Sequence, residues 1–124
     1  MDQSTGAEWG CYGTLIGETS PNINTGATNT AAILNKCPKE SLAAHICNDL
    51  ELNTYSDWYL PSKVELNLMY VNLHTLKLGG FASYYYWSSS EYNSSYVCIQ
   101  YFLNGRQCND YKNYTYRVRA TRSF

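Results

Sequence analysis

The chain has 124 residues, a formal net charge of −1, 15% charged residues and 15% aromatic residues. A near-neutral charge gives no global attraction for nucleic acid or for an anionic membrane, and the aromatic content excludes a disordered chain. No apolar run approaches the roughly 18 residues of a membrane span, and the first residues lack the apolar stretch of a signal peptide. We therefore predict a single domain over residues 1–124, without direct membrane insertion.

The cysteines predict neither a metal site nor a cofactor. They are Cys11, Cys37, Cys47, Cys98 and Cys108. None is spaced as Cys-x-x-Cys, and neither histidine completes a zinc-binding pattern. Buried free thiols are the simplest interpretation, because an unpaired cysteine packs as a small apolar residue. One disulfide among the first three cysteines stays open if the protein is exported.

The first half of the chain predicts loops followed by two helices. Glycine and proline punctuate residues 1–26, which favours loop structure with one short strand at residues 12–16. A first helix is expected to begin at a cap on Thr28 or Asn29 and to end at Pro38. A second helix is expected after a cap on Ser41, because apolar residues then recur at helical spacing.

The clearest local signal is a capping box at the start of a third helix. In Ser62-Lys63-Val64-Glu65, the serine side chain can accept a bond from the third helical amide while the glutamate reaches back to the cap. Apolar residues follow at three- and four-residue spacing, so the helix should pack on one face. Gly79-Gly80 is expected to end it.

After residue 84 the periodicity drops to two, which predicts strands over residues 86–91, 97–103, 106–112 and 116–124. Asn104-Gly105 is a strong signal for a hairpin turn. In the last strand, Val118, Ala120 and Phe124 should share one face. Two to three helices followed by antiparallel strands and hairpins make an α+β domain.

Five segments together are more specific than these patterns. They are Ala7-Glu8-Trp9-Gly10-Cys11, residues 55–66, Gly79-Gly80-Phe81, residues 86–91 and Arg117-Val118-Arg119-Ala120. In this order they resemble a bacterial C-type-lectin-like domain family, common in gut Bacteroidetes proteins and phages. The resemblance covers almost the whole chain and implies a C-type-lectin-like fold. Members of this family are similar in architecture to the variable proteins of diversity-generating retroelements.

In those retroelement systems, miscopied adenines change Asn codons into codons for Tyr, Ser, Asp, Cys, Ile, Thr, Arg or Leu. The tail of this chain is rich in that set, and residues 84–124 hold nine of the thirteen tyrosines. Trp87, Phe102, Gly105, Lys112 and Val118 stand beside or between them as expected scaffold residues. The predicted ligand-binding residues are Tyr92, Asn93, Ser95, Tyr96, Ile99, Tyr101, Leu103, Arg106, Cys108, Asn109, Asp110, Tyr111, Asn113, Tyr114, Thr115 and Tyr116.

The resemblance implies a ligand-binding display protein with a scaffold over residues 1–91, a variable-type display region over 92–116 and a closing strand over 117–124. Tyrosine suits such a surface because it is large, rigid and half-polar. The expected partner is a protein or glycan, met at a bacterial cell surface or on a phage particle. The expected anchors are Tyr96, Tyr101, Tyr111, Tyr114 and Tyr116, and replacing any two with alanine should leave the fold intact. The alternative is a structural or adhesin module with one fixed surface.

Enzymatic activity is not predicted. No serine lies in a nucleophile elbow, and neither histidine belongs to a recognisable triad. Cys98 and Cys108 flank the predicted turn and could face each other, but only Arg106 is placed to lower a thiol pKa. The Glu-Pro-Asn and Trp-Asn-Asp motifs of calcium-dependent lectins are missing from the sequence. We therefore assign a catalytic role to no residue of the sequence.

Two expectations concern the closing strand. Related sequences usually carry an earlier first strand that pairs with it. Either that strand is missing from the given sequence, or residues 117–124 have an open edge, through which the chain could form a homo-oligomer. Glu91 and Arg122 are candidates for an ion pair that joins the first and last strands of the tail.

Overall fold

The computed structural model describes residues 1–123, which form three α-helices and five strands and confirm the predicted α+β class. Helices α1, α2 and α3 and strands β2 to β5 follow strand β1 along the chain. Their bounds are β1 (Ser4–Glu8), α1 (Gly26–Lys36), α2 (Ala43–Asn48), α3 (Lys63–Asn72), β2 (Tyr85–Glu91), β3 (Tyr96–Tyr101), β4 (Gln107–Tyr111) and β5 (Thr115–Val118). Among these elements, no helix has the length and apolar character needed to cross a membrane.

The strands form one mixed sheet in the order β1-β5-β2-β3-β4. β5 runs parallel to β2, with Arg117 opposite Tyr86, whereas the other neighbours are antiparallel. The prediction of a purely antiparallel arrangement was therefore wrong. The parallel pair forms because residues 112–114 lead the chain from β4 past β3 to the far side of β2.

The first strand lies earlier than predicted. Residues 12–16 form turns and irregular structure, while Ser4–Glu8 forms β1 and pairs with β5. Only Ala7 of this strand is buried, so the segment lacks the alternation that would have indicated a strand. Because β5 has a neighbouring strand on each side, the predicted open edge was wrong. The homo-oligomer expected from that edge therefore has no free β5 edge through which to form. Phe124 lies outside the described residues.

The first helix begins two to three residues before its predicted caps. Thr25 occupies the N-cap position of α1, and Asn29 lies inside the helix. The Asn29 amide is buried and bridges two other segments: its Nδ2 donates to the Ser20 carbonyl oxygen (2.7 Å) and to Ser89 Oγ (3.1 Å). A short polar side chain that resembled a cap is instead a tertiary crosslink.

The capping box of α3 is confirmed. Ser62 Oγ accepts from the Glu65 amide at 3.3 Å, and the Ser62 amide donates to Glu65 Oε1 at 2.9 Å. The other predicted cap was wrong, because Leu42 rather than Ser41 precedes α2. The predicted stop at Gly79-Gly80 was also wrong, since α3 ends at Asn72 and a 3-10 turn follows.

The sheet separates two apolar clusters, and neighbouring residues of β2 contribute to each. Trp87 is buried with Ile33 of α1 and with residues of α2, β3 and β5. Tyr86 is buried on the other side with Leu66 of α3 and Phe102. Alternation along β2 produces this division, because successive side chains point to opposite faces. The tyrosine-rich tail is thereby anchored from both faces of the sheet.

Candidate functional site: a surface of packed tyrosines

Seven tyrosine rings contact one another in series. The centroid distances are 6.1 Å for Tyr12–Tyr111, 4.6 Å for Tyr96–Tyr111, 5.3 Å for Tyr111–Tyr114, 6.3 Å for Tyr114–Tyr116, 5.4 Å for Tyr85–Tyr116 and 4.3 Å for Tyr85–Tyr101. We call these seven residues the tyrosine surface. Aromatic pairs attract each other over this range of separations. The rings therefore support one another as well as facing solvent.

Strand register explains how the rings meet. Tyr96 of β3 lies opposite Tyr111 of β4, and Tyr101 of β3 lies opposite Tyr85 of β2. Directly opposed residues have Cβ atoms about 4.5–5.5 Å apart, so large rings necessarily touch. Tyr116 of β5 then packs edge-on against Trp87 at 4.8 Å, which connects the surface to the main apolar cluster.

The surface is only partly solvent-exposed. Tyr12 and Tyr114 are 52% and 47% exposed, whereas the other five members are half-buried. Among the six ring contacts, the Tyr85–Tyr101 pair is stacked and the other five are tilted or edge-on. Tyr92 stands outside this series of contacts and is 68% exposed.

Asp110 fixes the position of the most buried part of the surface. Its Oδ2 accepts a short hydrogen bond from the Tyr116 hydroxyl, and its Oδ1 accepts from the Tyr111 amide at 2.8 Å. Burial, with the Asp110 hydrogen bond and charge adding to it, raises the pKa of Tyr116 above its usual range. The phenol therefore stays protonated and remains a donor to Asp110.

A buried ion pair lies beneath the surface. Lys112 Nζ is 2.6 Å from Glu91 Oε2, and both side chains are almost completely buried. The same Nζ donates to the Thr14 carbonyl oxygen at 2.9 Å and lies 4.8 Å from the centre of the Trp9 ring. Burial lowers the pKa of Lys112, and the hydrogen bond with Glu91 opposes this shift. The pair joins β2, the 112–114 connection and the N-terminal loop.

The N-terminal loop supplies a member of the surface that sequence reasoning missed. Tyr12 lies in the segment held by Glu91, whose carboxylate accepts from the Ile16 and Gly17 amides at 2.8 and 3.0 Å. The Cys11–Cys37 disulfide ties the same segment to α1. This disulfide belongs to the set that the sequence left open. An aromatic ring in a glycine-rich turn has no periodicity, so the sequence offered no signal for it.

The predicted ion pair between Glu91 and Arg122 was wrong. Glu91 pairs with Lys112, while Arg122 Nε lies 2.7 Å from Asp57 Oδ1. The Arg122 guanidinium also lies over the Tyr55 ring, at 3.7 Å from its centre. The hydrogen bond from Arg122 lowers the pKa of Asp57. Arg122 therefore fastens the end of the chain to the connection before α3, away from the tyrosine surface.

The sixteen predicted ligand-binding residues divide by exposure. Exposed are Tyr92, Leu103, Arg106, Asn109, Asn113, Tyr114 and Thr115. Half-buried are Asn93, Ser95, Tyr96, Tyr101, Cys108, Asp110, Tyr111 and Tyr116, and Ile99 is buried. The five expected anchors all belong to the tyrosine surface. Leu103 and Arg106 lie apart in the β3–β4 turn, and Asn109 lies opposite Cys98, on the same sheet face as Tyr111.

Two of these assignments need correction. Ile99 is 1% exposed and belongs to the main apolar cluster, so it cannot touch a ligand on this surface. Its side chain follows the alternation of β3, which turns Val97 and Ile99 inward. Tyr116 packs against the same cluster and bonds to Asp110. Replacing Tyr116 is therefore expected to affect the fold, contrary to the expectation for all five anchors.

The expected facing arrangement of Cys98 and Cys108 was wrong. Cys98 lies opposite Asn109, and Cys108 lies opposite Ile99. The two thiols therefore point to opposite faces of the sheet. Burial raises the pKa of the Cys98 thiol, which disfavours the reactive thiolate form. Both cysteines are free thiols.

The scaffold residues named from the sequence lie where a scaffold should. Trp87, Phe102, Lys112 and Val118 are each 0% exposed. Gly105 lies in the β3–β4 turn with a φ of 82°, in the left-handed region that favours glycine. Any Cβ at this position would approach the Tyr70 ring at 2.5 Å. The tail thus alternates between residues that build the sheet and residues that line its surface.

Comparison of the chain with protein-family models and with curated proteins gave no match in either case. Within residues 1–123, no three His, Cys, Asp or Glu side chains are grouped closely enough to hold a metal ion. The chemical character of the site is therefore that of the tyrosine surface itself: aromatic edges, phenol hydroxyls and a few amide and charged groups at its margins.

Proposed function

We propose that the chain is a ligand-binding display protein with a C-type-lectin-like fold, resembling the hypervariable target protein of a diversity-generating retroelement. It binds a surface protein or glycan, at a bacterial cell surface or on a phage particle, through the tyrosine surface and the exposed residues beside it. The single observation that supports this most strongly is the division of the tail. All predicted ligand-binding residues except Ile99 are exposed or half-buried, while Trp87, Phe102, Lys112 and Val118 between or beside them are fully buried.

The chemistry of the surface suits binding more than catalysis. Tyrosine is enriched among the residues that dominate the energy of protein interfaces. Its two side-chain torsions cost little entropy on ordering, and contacts such as Tyr96–Tyr111 at 4.6 Å already restrict them. A surface of this kind tolerates exchange of its exposed side chains, because the core beneath it does not depend on most of them.

The first experiment is to read the DNA encoding residues 92–116 and its flanks. Diversification predicts a nearby template repeat in which adenines stand at the codons of the exposed positions, beside a gene for a reverse transcriptase. Ile99 is informative here, because its codon belongs to the reachable set although its side chain is buried. A flank without repeat or reverse transcriptase contradicts diversification and favours the alternative of a structural or adhesin module.

Binding itself is tested by selecting a displayed random-peptide library and probing a glycan array with the purified protein. A double variant, Tyr92→Ala with Tyr114→Ala, removes two exposed rings and should retain the urea midpoint of the wild type. The expected result is loss of the selected binders in this variant. A matched control is Tyr55→Ala, since Tyr55 is 47% exposed but lies outside the tail. Binding that survives the double variant contradicts the proposed site.

A further inference from the structure

A cleft of about 290 Å³ adjoins the tyrosine surface where β1, β5 and the residues before β2 meet. It is lined by Thr5, Tyr84, Tyr85, Thr115, Tyr116 and Arg117. Tyr85 and Tyr116 line the cleft and belong to the tyrosine surface, so the cleft borders that surface. The Arg117 side chain points to the Tyr86 face of the sheet, opposite the Tyr116 ring. Thr5, Tyr84, Tyr85 and Arg117 were not among the predicted ligand-binding residues.

Arg117 brings hydrogen-bond donors to this cleft. Its guanidinium lies over the Tyr84 ring at 4.6 Å, and its Nη1 is 2.9 Å from Asp2 Oδ2. The side chain is 23% exposed, and this is the one hydrogen bond that the guanidinium makes to residues 1–123. A guanidinium carries five N–H donors, so several remain for a ligand. Their arrangement suits a carboxylate, which can accept two parallel bonds from one arginine.

The charge of Asp2 is shared. Its Oδ1 lies 2.7 Å from Arg119 Nη2, and the Tyr86 hydroxyl donates to the same carboxylate at 2.7–2.8 Å. One carboxylate against two guanidinium groups leaves this cluster with a formal charge of +1. Asp2 therefore orients Arg117 without neutralising the pair of arginines.

Charges of both signs lie around the cleft, since the Asp110 carboxylate accepts a hydrogen bond from the Tyr116 hydroxyl. Arg106 lies in the β3–β4 turn at the same end of the sheet, because Phe102, in that turn, donates its amide to the Tyr84 carbonyl oxygen. Glu8, which lies opposite Thr115 in the β1–β5 pair, lines a different cleft with Lys36 and Lys39. Glu8 is therefore not among the residues that line the cleft of Arg117.

The ring geometry favours a protein ligand over a sugar. A sugar ring stacks on an open aromatic face. Tyr85 is stacked on Tyr101 at 4.3 Å and 16°, and the Arg117 guanidinium covers one face of Tyr84, so each of these two rings offers a sugar at most one face. The edges, hydroxyls and guanidinium that remain match the tyrosine and arginine contacts of protein interfaces.

We propose that this cleft binds the carboxylate of an acidic side chain, aspartate or glutamate, on a protein partner that covers the tyrosine surface. The proposal rests on the function proposed above and adds to it a subsite outside the variable-type region. Since Arg117 belongs to the closing strand, the subsite would give different display-region sequences a common preference for acidic epitopes.

The test selects a displayed random-peptide library in parallel on the wild type, Arg117→Gln and Arg122→Gln. We expect wild-type binders to carry Asp or Glu at a fixed position relative to their aromatic residues. Exchange of that acid for its amide should weaken binding about 10- to 150-fold, as expected for the loss of a hydrogen bond to a charged group. Arg122→Gln is the matched control, because it removes an arginine that pairs with Asp57 away from the cleft.

A second variant guards against misfolding of Arg117→Gln, which also loses the contact with Asp2. Thr115→Trp fills the cleft from an exposed position and leaves the arginines in place. Both variants should lose the acidic preference.

Peptides that bind the wild type without an acid preference, but fail on the Tyr92→Ala and Tyr114→Ala double variant, overturn this inference and leave the proposed function standing. Arg117-dependent binding of glycans with uronic acids overturns the choice of a protein partner. Failure of every peptide and glycan overturns the proposed function as well.

Discussion

Lys112 shows how one residue can hold the tyrosine surface in place. It stands between Tyr111 and Asn113, and by composition alone it would pass for a charged surface residue. The structure buries it completely, with Glu91, the Thr14 carbonyl oxygen and the Trp9 ring as its partners. A buried charge is tolerated only when it is paired and hydrogen-bonded. Residues 112–114 and the N-terminal loop are therefore joined by an ion pair, and neither of its two charges is tolerated in the core without the other.

Replacing Lys112 with methionine should lower the free energy of unfolding by about 3–5 kcal/mol, because Glu91 would keep a buried, unpaired charge. Urea denaturation followed by circular dichroism measures this change. The double variant Lys112→Met with Glu91→Gln should recover part of the loss, since neither charge then remains. Lys63→Met, at an exposed lysine, is the control and should change stability little. A single variant as stable as the control would show that the pair contributes nothing.

The tyrosines of the tail should separate into structural and binding residues. Tyr116→Ala is expected to cost about 2–3 kcal/mol of folding stability, somewhat less than a fully buried aromatic, because it contacts Trp87 and bonds to Asp110. Tyr92→Ala should change stability by no more than about 0.5 kcal/mol, as is usual at exposed positions. Urea midpoints of the two variants provide the comparison. Equal effects at both positions would contradict the distinction between anchor and display residues.

At the scale of elements, the sequence predicted the N-terminus of α3 correctly and that of α2 incorrectly. The capping box of α3 requires only residues three apart in the chain, so the sequence predicted it correctly. The cap on Ser41 was wrong because tertiary packing draws Leu42 and Ala43 into the core and starts α2 one residue later. Hydrogen-bonding side chains near a helix start are common, and only their surroundings decide which one is the cap.

Ser62→Ala should therefore lower the free energy of unfolding by up to about 2 kcal/mol, the upper range for an N-cap, because the hydroxyl also donates to the Asn22 carbonyl oxygen at 2.8 Å. Ser41→Ala is a matched control, since Ser41 is exposed and lies outside the cap of α2. Thermal unfolding of both variants checks the difference. A loss at Ser41 equal to that at Ser62 would contradict the assigned helix starts.

For the molecule as a whole, buried phenols predict sensitivity to alkali. Burial, assisted by the hydrogen bond and charge of Asp2, raises the pKa of Tyr86 to about 12, and burial also raises that of Tyr116. In the unfolded chain the tyrosine side chain has a pKa of about 10. Above that pH the folded state keeps protons that the unfolded state has lost, so stability falls as the pH rises. Lys112 acts in the opposite direction, because burial lowers its pKa, but it is one group against several tyrosines.

The expected result is a urea midpoint that is steady below about pH 10 and falls steeply between about pH 10 and 12. Tyr86→Phe removes one of the buried phenols and should flatten this fall, although it also loses the bond to Asp2 and lowers the starting stability. Absorbance at the phenolate band, recorded over the same pH range, reports ionisation directly. A midpoint that does not change up to pH 12 would contradict the raised pKa values.

Five of the seven members of the tyrosine surface were among the residues named from the sequence, and Tyr12 and Tyr85 were not. Tyr96, Tyr101, Tyr111 and Tyr114 were predicted as ligand-binding residues because tyrosine belongs to the residue set that the resemblance to retroelement variable proteins implies. Tyr12 was missed because it comes from the other end of the chain, and Arg117 was assigned to the closing strand. Ile99 was included because its residue type fitted the expected set, whereas the side of the strand on which it points depends on register.

By itself, the sequence determined the α+β class, the capping box of α3 and the approximate positions of β2, β3 and β4, because periodicity, caps and turns are local properties. Only the tertiary structure decided that Ser4–Glu8 is a strand, that β5 lies parallel to β2 and that Lys112 is buried. Each of these depends on a partner many residues away: β5 for the first strand, β2 for the fifth, and Glu91 with Thr14 for the lysine. Such partners are selected by side-chain packing, by hydrogen bonds between strands and by ion pairing, and no short segment of the sequence specifies them.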